Sequence, residues 1–248
     1  MSLSRFLFAG VFLICACGDD GGTTASVDAA APFDAAIRPD AMPAVTCDLL
    51  GKQSDFACTQ VIGFSQTSNW YGAEDMPLFE AHQDIDGDRW QLLWHAGAGV
   101  ENWATPKYEG WDPQITPLVS ACATSSDAPD RVVLTISSNV YDTLSPTTEW
   151  AAEIDKAVAE IRTKIPTATD IILQPVVGGT ADNPCPTRAS ENHPIIAAAI
   201  ELVVDGETIL AGPEPMVLSC TEFSDDKGHL TPATRQANAL RIAGCYAH

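Results

Sequence analysis

"VIGFSQTSNWYG", residues 61–72, runs from an apolar stretch through Gly63 to Ser65, then into a polar stretch that ends in Trp70 and Tyr71. Gly-x-Ser after a short apolar run has two readings. It is either a buried strand presenting a serine at its end or a strand giving way to an ordinary polar turn. The rest of the chain decides between them. Four further apolar runs follow, at 89–95, 131–137, 170–177 and 208–212, and with the first at 59–64 they make five. All are near-continuous rather than alternating, which predicts parallel strands covered on both faces.

Helical patterns separate these runs. Trp150, Ile154, Val158, Ile161 and Ile165 share one face of a predicted helix over 146–165, with Ser145 as its cap and Pro146 in its first turn. A second helix is predicted over 193–204. A third is predicted over 231–246, with Thr231 as cap followed by Pro232. Alternating strands and helices predict a three-layer α/β/α sandwich with a mainly parallel five-stranded sheet. Sites in such sheets form at the carboxyl ends of strands, and Ser65 stands at one.

The N-terminal end carries different signals. "MSLSRFLFAGVFLICACGDD" has one basic residue, an apolar run too short to span a bilayer, and a small-residue end. Ile14-Cys15-Ala16-Cys17 resembles a bacterial lipobox, in which cleavage exposes a cysteine that carries lipid. Residues 1–16 are therefore expected to be a signal peptide and Cys17 a lipidation site. Residues 17–45, rich in Ala, Asp, Gly, Thr and Pro, form a linker without a core of its own. Residues 46–248 make one domain. The expected location is the cell envelope, outside the cytoplasm, anchored by lipid without spanning the membrane.

Of eight cysteines, Cys15 leaves with the signal and Cys17 takes lipid. The remainder, Cys47, Cys58, Cys122, Cys185, Cys220 and Cys245, are even in number in an exported chain and predict three disulfides of open pairing. Their wide spacing lacks the close pairs of zinc sites. A formal net charge of −20 excludes a polyanionic partner such as nucleic acid and favours solubility.

A serine nucleophile needs a base, a group that orients the base, and donors for the oxyanion. Among five histidines, only His229 has an acid three residues ahead, Asp226 in "DDKGHLT", on the approach to the last helix. The two strand ends between Ser65 and His229 offer donors. Gly99 lies in "HAGAGVENWA", and Asn139 lies in "ISSNVYD". Each taken singly is more often a turn glycine or a loop asparagine. Their order along the chain gives the set its weight.

In that order the sequence resembles the SGNH hydrolase superfamily, the GDSL esterases and lipases, over about residues 59–247. Gly63-Phe64-Ser65-Gln66 is similar to the first block, keeping glycine and serine. Trp94 through Gly99, with Gly97 as the alternative glycine, is similar to the second. Ser137-Ser138-Asn139-Val140 keeps the asparagine of the third, and Asp226-Lys227-Gly228-His229 matches the fourth. The resemblance implies a flavodoxin-like sheet, nucleophile Ser65, base His229, orienting acid Asp226, and an oxyanion hole from the Ser65 and Gly99 amides with the Asn139 side chain. It implies hydrolysis of a small acyl or carbohydrate ester without metal or organic cofactor. The alternative is a non-catalytic surface-binding lipoprotein on the same fold. Gly63 to Thr67 also nearly matches the α/β-hydrolase elbow, but that fold sets several strands before its nucleophile and this chain has one.

Three features have competing readings. "DIDGD" at 84–88 has Arg89 where a calcium loop needs glycine, so a tight turn is expected. Trp70, Tyr71, Trp94, Trp103 and Trp111 read as core or as a platform for sugar rings. His193 reads as a surface or capping residue.

Overall fold

Thr59–Gly63 (β1) is buried along its whole length, as a central strand must be. The computed structural model describes residues 47–73, 76–142, 144–176, 194–217 and 219–247. The predicted signal peptide, Cys17, the linker, Cys185 and His193 lie outside these residues. Parallel to β1 run Trp90–Trp94 (β2) on one side and Arg131–Ile136 (β3) on the other. Asp170–Pro175 (β4) and Ile209–Ala211 (β5) extend the sheet in the order β2-β1-β3-β4-β5. All five predicted strands are present, each trimmed at its ends. At the β2 edge Val119 pairs with Leu92 through a bridge of two 2.9 Å hydrogen bonds, which caps the edge.

Side-chain alternation divides the core into two. Ile62, Leu93, Val132, Leu134, Ile171 and Leu173 pack toward α2 (Val100–Trp103), α3 (Thr147–Lys164) and α4 (Ile195–Glu201). Val61, Leu92, Val133, Ile172 and Leu210 pack toward α1 (Ser65–Tyr71) and α5 (Pro232–Tyr246). The three layers expected from the sequence are thus filled on both faces.

Helix boundaries show where local chemistry departs from expectation. Thr231 caps α5, its hydroxyl accepting from the Thr234 amide at 3.4 Å, as predicted. Ser145 does not cap α3. Pro146 holds that position, and the Ser145 amide and hydroxyl both donate to Asp142. α1 was not expected, because "SQTSNWY" has too few apolar residues for a helical period.

Two disulfides join described residues, Cys47–Cys245 and Cys58–Cys122, and Cys220 is also disulfide-bonded. The 84–88 segment turns into a short 3₁₀ helix at Gly87–Arg89, with the Arg89 guanidinium on Asp86 at 2.9 Å. Among the described residues, no helix is long and apolar enough to cross a membrane.

Candidate active site

Ser65 opens α1 immediately beyond β1. The turn that presents it depends on Gly63, where a Cβ would lie 2.0 Å from the Thr67 hydroxyl oxygen. That hydroxyl accepts from the Phe64 amide at 3.2 Å and fastens the turn. The Ser65 carbonyl is held in turn by the Ser68 hydroxyl at 2.7 Å and the Asn69 amide at 3.0 Å. The serine is thereby fixed by its own short helix.

The same helix docks the loop that carries the histidine. Gln66 Nε2 donates to the Gly228 carbonyl at 2.8 Å, and the Leu230 amide donates to Asn69 Oδ1 at 2.8 Å. Both Gln66 and Asn69 are buried. A chain separation of 164 residues is closed this way, and His229 Nε2 sits 3.1 Å from Ser65 Oγ, within hydrogen-bond reach. Sequence reasoning missed Gln66 and Asn69. Their only signal was amide residues on the inner side of a helix too polar to recognise.

On the other ring nitrogen, His229 Nδ1 meets Asp225 Oδ2 at 2.6 Å. The expected partner, Asp226, is corrected to its neighbour. Gly228 adopts φ +83°, a left-handed conformation that tightens the loop. Asp225 Oδ1 meanwhile accepts from the backbone amides of Lys227 and His229, at 3.0 and 3.1 Å. Asp225 and Asp226 are both exposed, and it is Asp225, clamped by the loop's own amides, that faces the ring from four residues back. Burial pushes the Asp225 carboxyl up, but the His229 ring and the two amides outweigh it and hold the carboxyl below its ordinary value.

The loops after β2 and β3 flank this turn, because β1 lies between those strands. They are tied together by the Val100 amide on the Ser137 carbonyl at 2.6 Å and by Asn139 Nδ2 on the Gly97 carbonyl at 2.5 Å. Asn139 is exposed at the sheet's carboxyl edge, where a donor is expected. Gly99 differs from expectation. It is buried at the start of α2, and its single N–H donates to Asn102 Oδ1 at 2.9 Å. That bond satisfies an orphan amide of the helix turn and withdraws the expected donor. Gly97, the alternative glycine, is exposed in the same loop at φ +72°.

Of the five aromatic residues near these loops in sequence, Trp70, Tyr71 and Trp103 are core, and Trp94 and Trp111 are half-buried. Tyr108 stacks on His95 and bonds its Nδ1 at 2.7 Å, and burial pushes the phenol up to about 12, with Glu109 and Glu101 adding to it. A cavity of about 510 Å³ lies away from these groups, around the β5 edge, where Ala197, Ile200, Ala211 and Arg241 line it. None of the site residues does.

No protein-family model and no curated protein matches the sequence. Solved structures do. A family two carbohydrate esterase from Clostridium thermocellum, in complex with cellohexaose, superposes with a TM-score of 0.50 at 14% identity, over 75% of this chain and 62% of that one. A family 2 enzyme with a carbohydrate-binding domain from Corynascus thermopiles gives 0.45 at 17% identity, over 76% and 65%. A family 3 carbohydrate esterase from Talaromyces cellulolyticus gives 0.48 at 10%, over 75% and 95%. The chain thus spans less than two thirds of the length of the first two. At that identity the likeness shows the fold alone, a three-layer α/β/α domain around an all-parallel five-stranded sheet.

Proposed function

We propose that this chain is a serine esterase that cleaves a small acyl or carbohydrate ester outside the cytoplasm. The observation that carries the reading is the continuous line Ser65 Oγ, His229 Nε2, His229 Nδ1 and Asp225 Oδ2, with contacts of 3.1 and 2.6 Å. With the Nδ1 proton held on Asp225, Nε2 is left to accept the serine proton as Oγ attacks the acyl carbon. The resulting imidazolium is steadied by Asp225. It then protonates the departing alcohol, and water repeats the sequence to free the acid and restore Ser65. The Ser65 amide and Asn139 Nδ2 are the proposed donors to the carbonyl oxygen, with Gly97 in place of Gly99. An amide nitrogen carries two hydrogens, so the bond from Asn139 to Gly97 does not bar a second donation.

Carbohydrate esterases among proteins of the same fold support an ester substrate, and the disulfides support an oxidising compartment. Lipid attachment at Cys17, with residues 17–45 as tether, belongs to the same proposal. Export as a soluble form is excluded if the full chain partitions into detergent and Cys17→Ser does not.

A second reading, a non-catalytic binding protein, draws support from the engaged Gly99 amide. Turnover of p-nitrophenyl acetate separates the two. Purified wild-type protein should exceed Ser65→Ala by several orders of magnitude, and equal rates would leave only the binding reading.

A further inference from the structure

Glu101, on α2, has no place in the constellation of serine, histidine and acid, yet it sits between the two loops that flank Ser65. One oxygen, Oε2, accepts from the Ser138 hydroxyl at 2.9 Å, and the other, Oε1, accepts from the Asn139 amide at 2.9 Å. The Ser138 oxygen itself accepts from the amides of Val140 and Tyr141, at 2.9 and 2.8 Å. One carboxylate therefore gathers the backbone of 138–141 into a fixed turn. On its other side it fills the space over Gly99, where a Cβ would lie 2.5 Å from both carboxylate oxygens. Gly99 is thus a glycine because Glu101 occupies the position its side chain would take.

We infer that Glu101 is the positioning residue of the oxyanion site, setting Asn139 through its main-chain amide. The inference rests on the esterase reading above. A charged acceptor binds an amide donor about twice as strongly as a neutral one. That bond, together with the Ser138 hydroxyl on the other carboxylate oxygen, fixes both the height and the rotation of the Asn139 backbone. The side chain then needs only its bond to the Gly97 carbonyl to be aimed. Charge has a second effect. A carboxylate beside the oxyanion site opposes negative charge there, so its presence is explained by geometry and not by field.

Glu101→Gln keeps the shape but turns one acceptor into a donor facing either Ser138 or Asn139. The expected result is a fall in kcat on the order of 10- to 100-fold with KM little changed, because the misplacement is felt as the oxyanion forms. Affinity for a tetrahedral boronate should fall in parallel, while the protection of the protein against thermal unfolding stays near wild type. If Glu101 acts through Asn139, the double variant with Asn139→Ala is no slower than Asn139→Ala alone. Multiplying losses would overturn the inference, as would full kcat in Glu101→Gln. Should Glu101→Gln not fold, Glu101→Asp makes the same test, since a chain one methylene shorter cannot span both donors. These outcomes leave the esterase reading standing. If wild-type protein shows neither Ser65-dependent turnover nor Ser65 labelling by a fluorophosphonate, both fall.

Discussion

The two faces of the sheet are built from different materials. Over α3 and α4 the core is mostly aliphatic, with Ile154, Val158, Ile161, Ile196 and Ile200 against isoleucine, leucine and valine of the strands, and with Phe64, Trp103 and Trp150 as its buried aromatic residues. Under α1 and α5 it is aromatic. Phe79 touches Trp70, Tyr71, Trp90 and Tyr246 with ring centroids 4.7–6.3 Å apart. The Arg131 guanidinium lies 4.1 Å over Phe56 and 5.0 Å over Trp90, and burial pushes it down to about 10. The candidate site straddles this division. Ser65 and His229 belong to elements on the aromatic face, whereas Gly97, Gly99 and Glu101 belong to the approach to α2 on the aliphatic one. The residues proposed for proton transfer, with the Ser65 amide, thus rest on one core, and the loop glycine proposed for the oxyanion rests on the other.

The largest expected effect tests the aromatic side. Asp225→Asn should lower kcat by roughly 10⁴, the loss seen when a triad carboxylate becomes an amide and the ring takes the wrong tautomer. Asp226→Asn should leave kcat near wild type, and the reverse result would restore the acid three residues back. Acid pH gives Asp225 a second test. A depressed native value gives Asp225 a stability contribution that is full above its unfolded value and is lost as pH falls through the native one. Asp225→Asn should therefore lack that acid-side loss of stability, read as the melting temperature against pH.

Next comes the core itself. Phe79→Ala should cost about 3–5 kcal/mol and Ile154→Ala about 2–5 kcal/mol in denaturant unfolding. The comparison lies in activity measured well below the midpoint. Phe79→Ala should lose turnover there, since Trp70, Tyr71 and Tyr246 stand on the elements that bring Ser65 to His229, and Ile154→Ala should not. Equal losses would make the two cores one unit.

On the donor side, Asn139→Ala should reduce kcat by roughly 10²–10³ without moving the pH profile. Full activity in that variant would reduce Asn139 to a loop residue.

How far the sequence could be read follows the same physics. All five strands were visible because central parallel strands have no polar face, and apolar runs mark them directly. Ser65 and His229 were visible through their order along those strands. The carboxylate beside the His229 ring is Asp225 where Asp226 was expected, because hydrogen bonds from the Lys227 and His229 amides, with Gly228 at positive φ, decide which one faces the ring. Gly99 was misassigned because a side chain three residues on, Asn102, captures its amide. Glu101 left no signal at all, since a half-buried glutamate in a one-turn helix looks like any solvated one.

The Cys47–Cys245 bond closes a covalent ring across a separation of 198 residues. On the chain-entropy view a closure of that length limits the unfolded chain by about 5 kcal/mol. Its mechanical meaning is different. A pull on the chain ahead of Cys47 enters the domain at one point and passes through the sulfur bridge to the end of α5. Load entering there is shared with α5 before it reaches β1 and Ser65, which follow Cys47 along the chain.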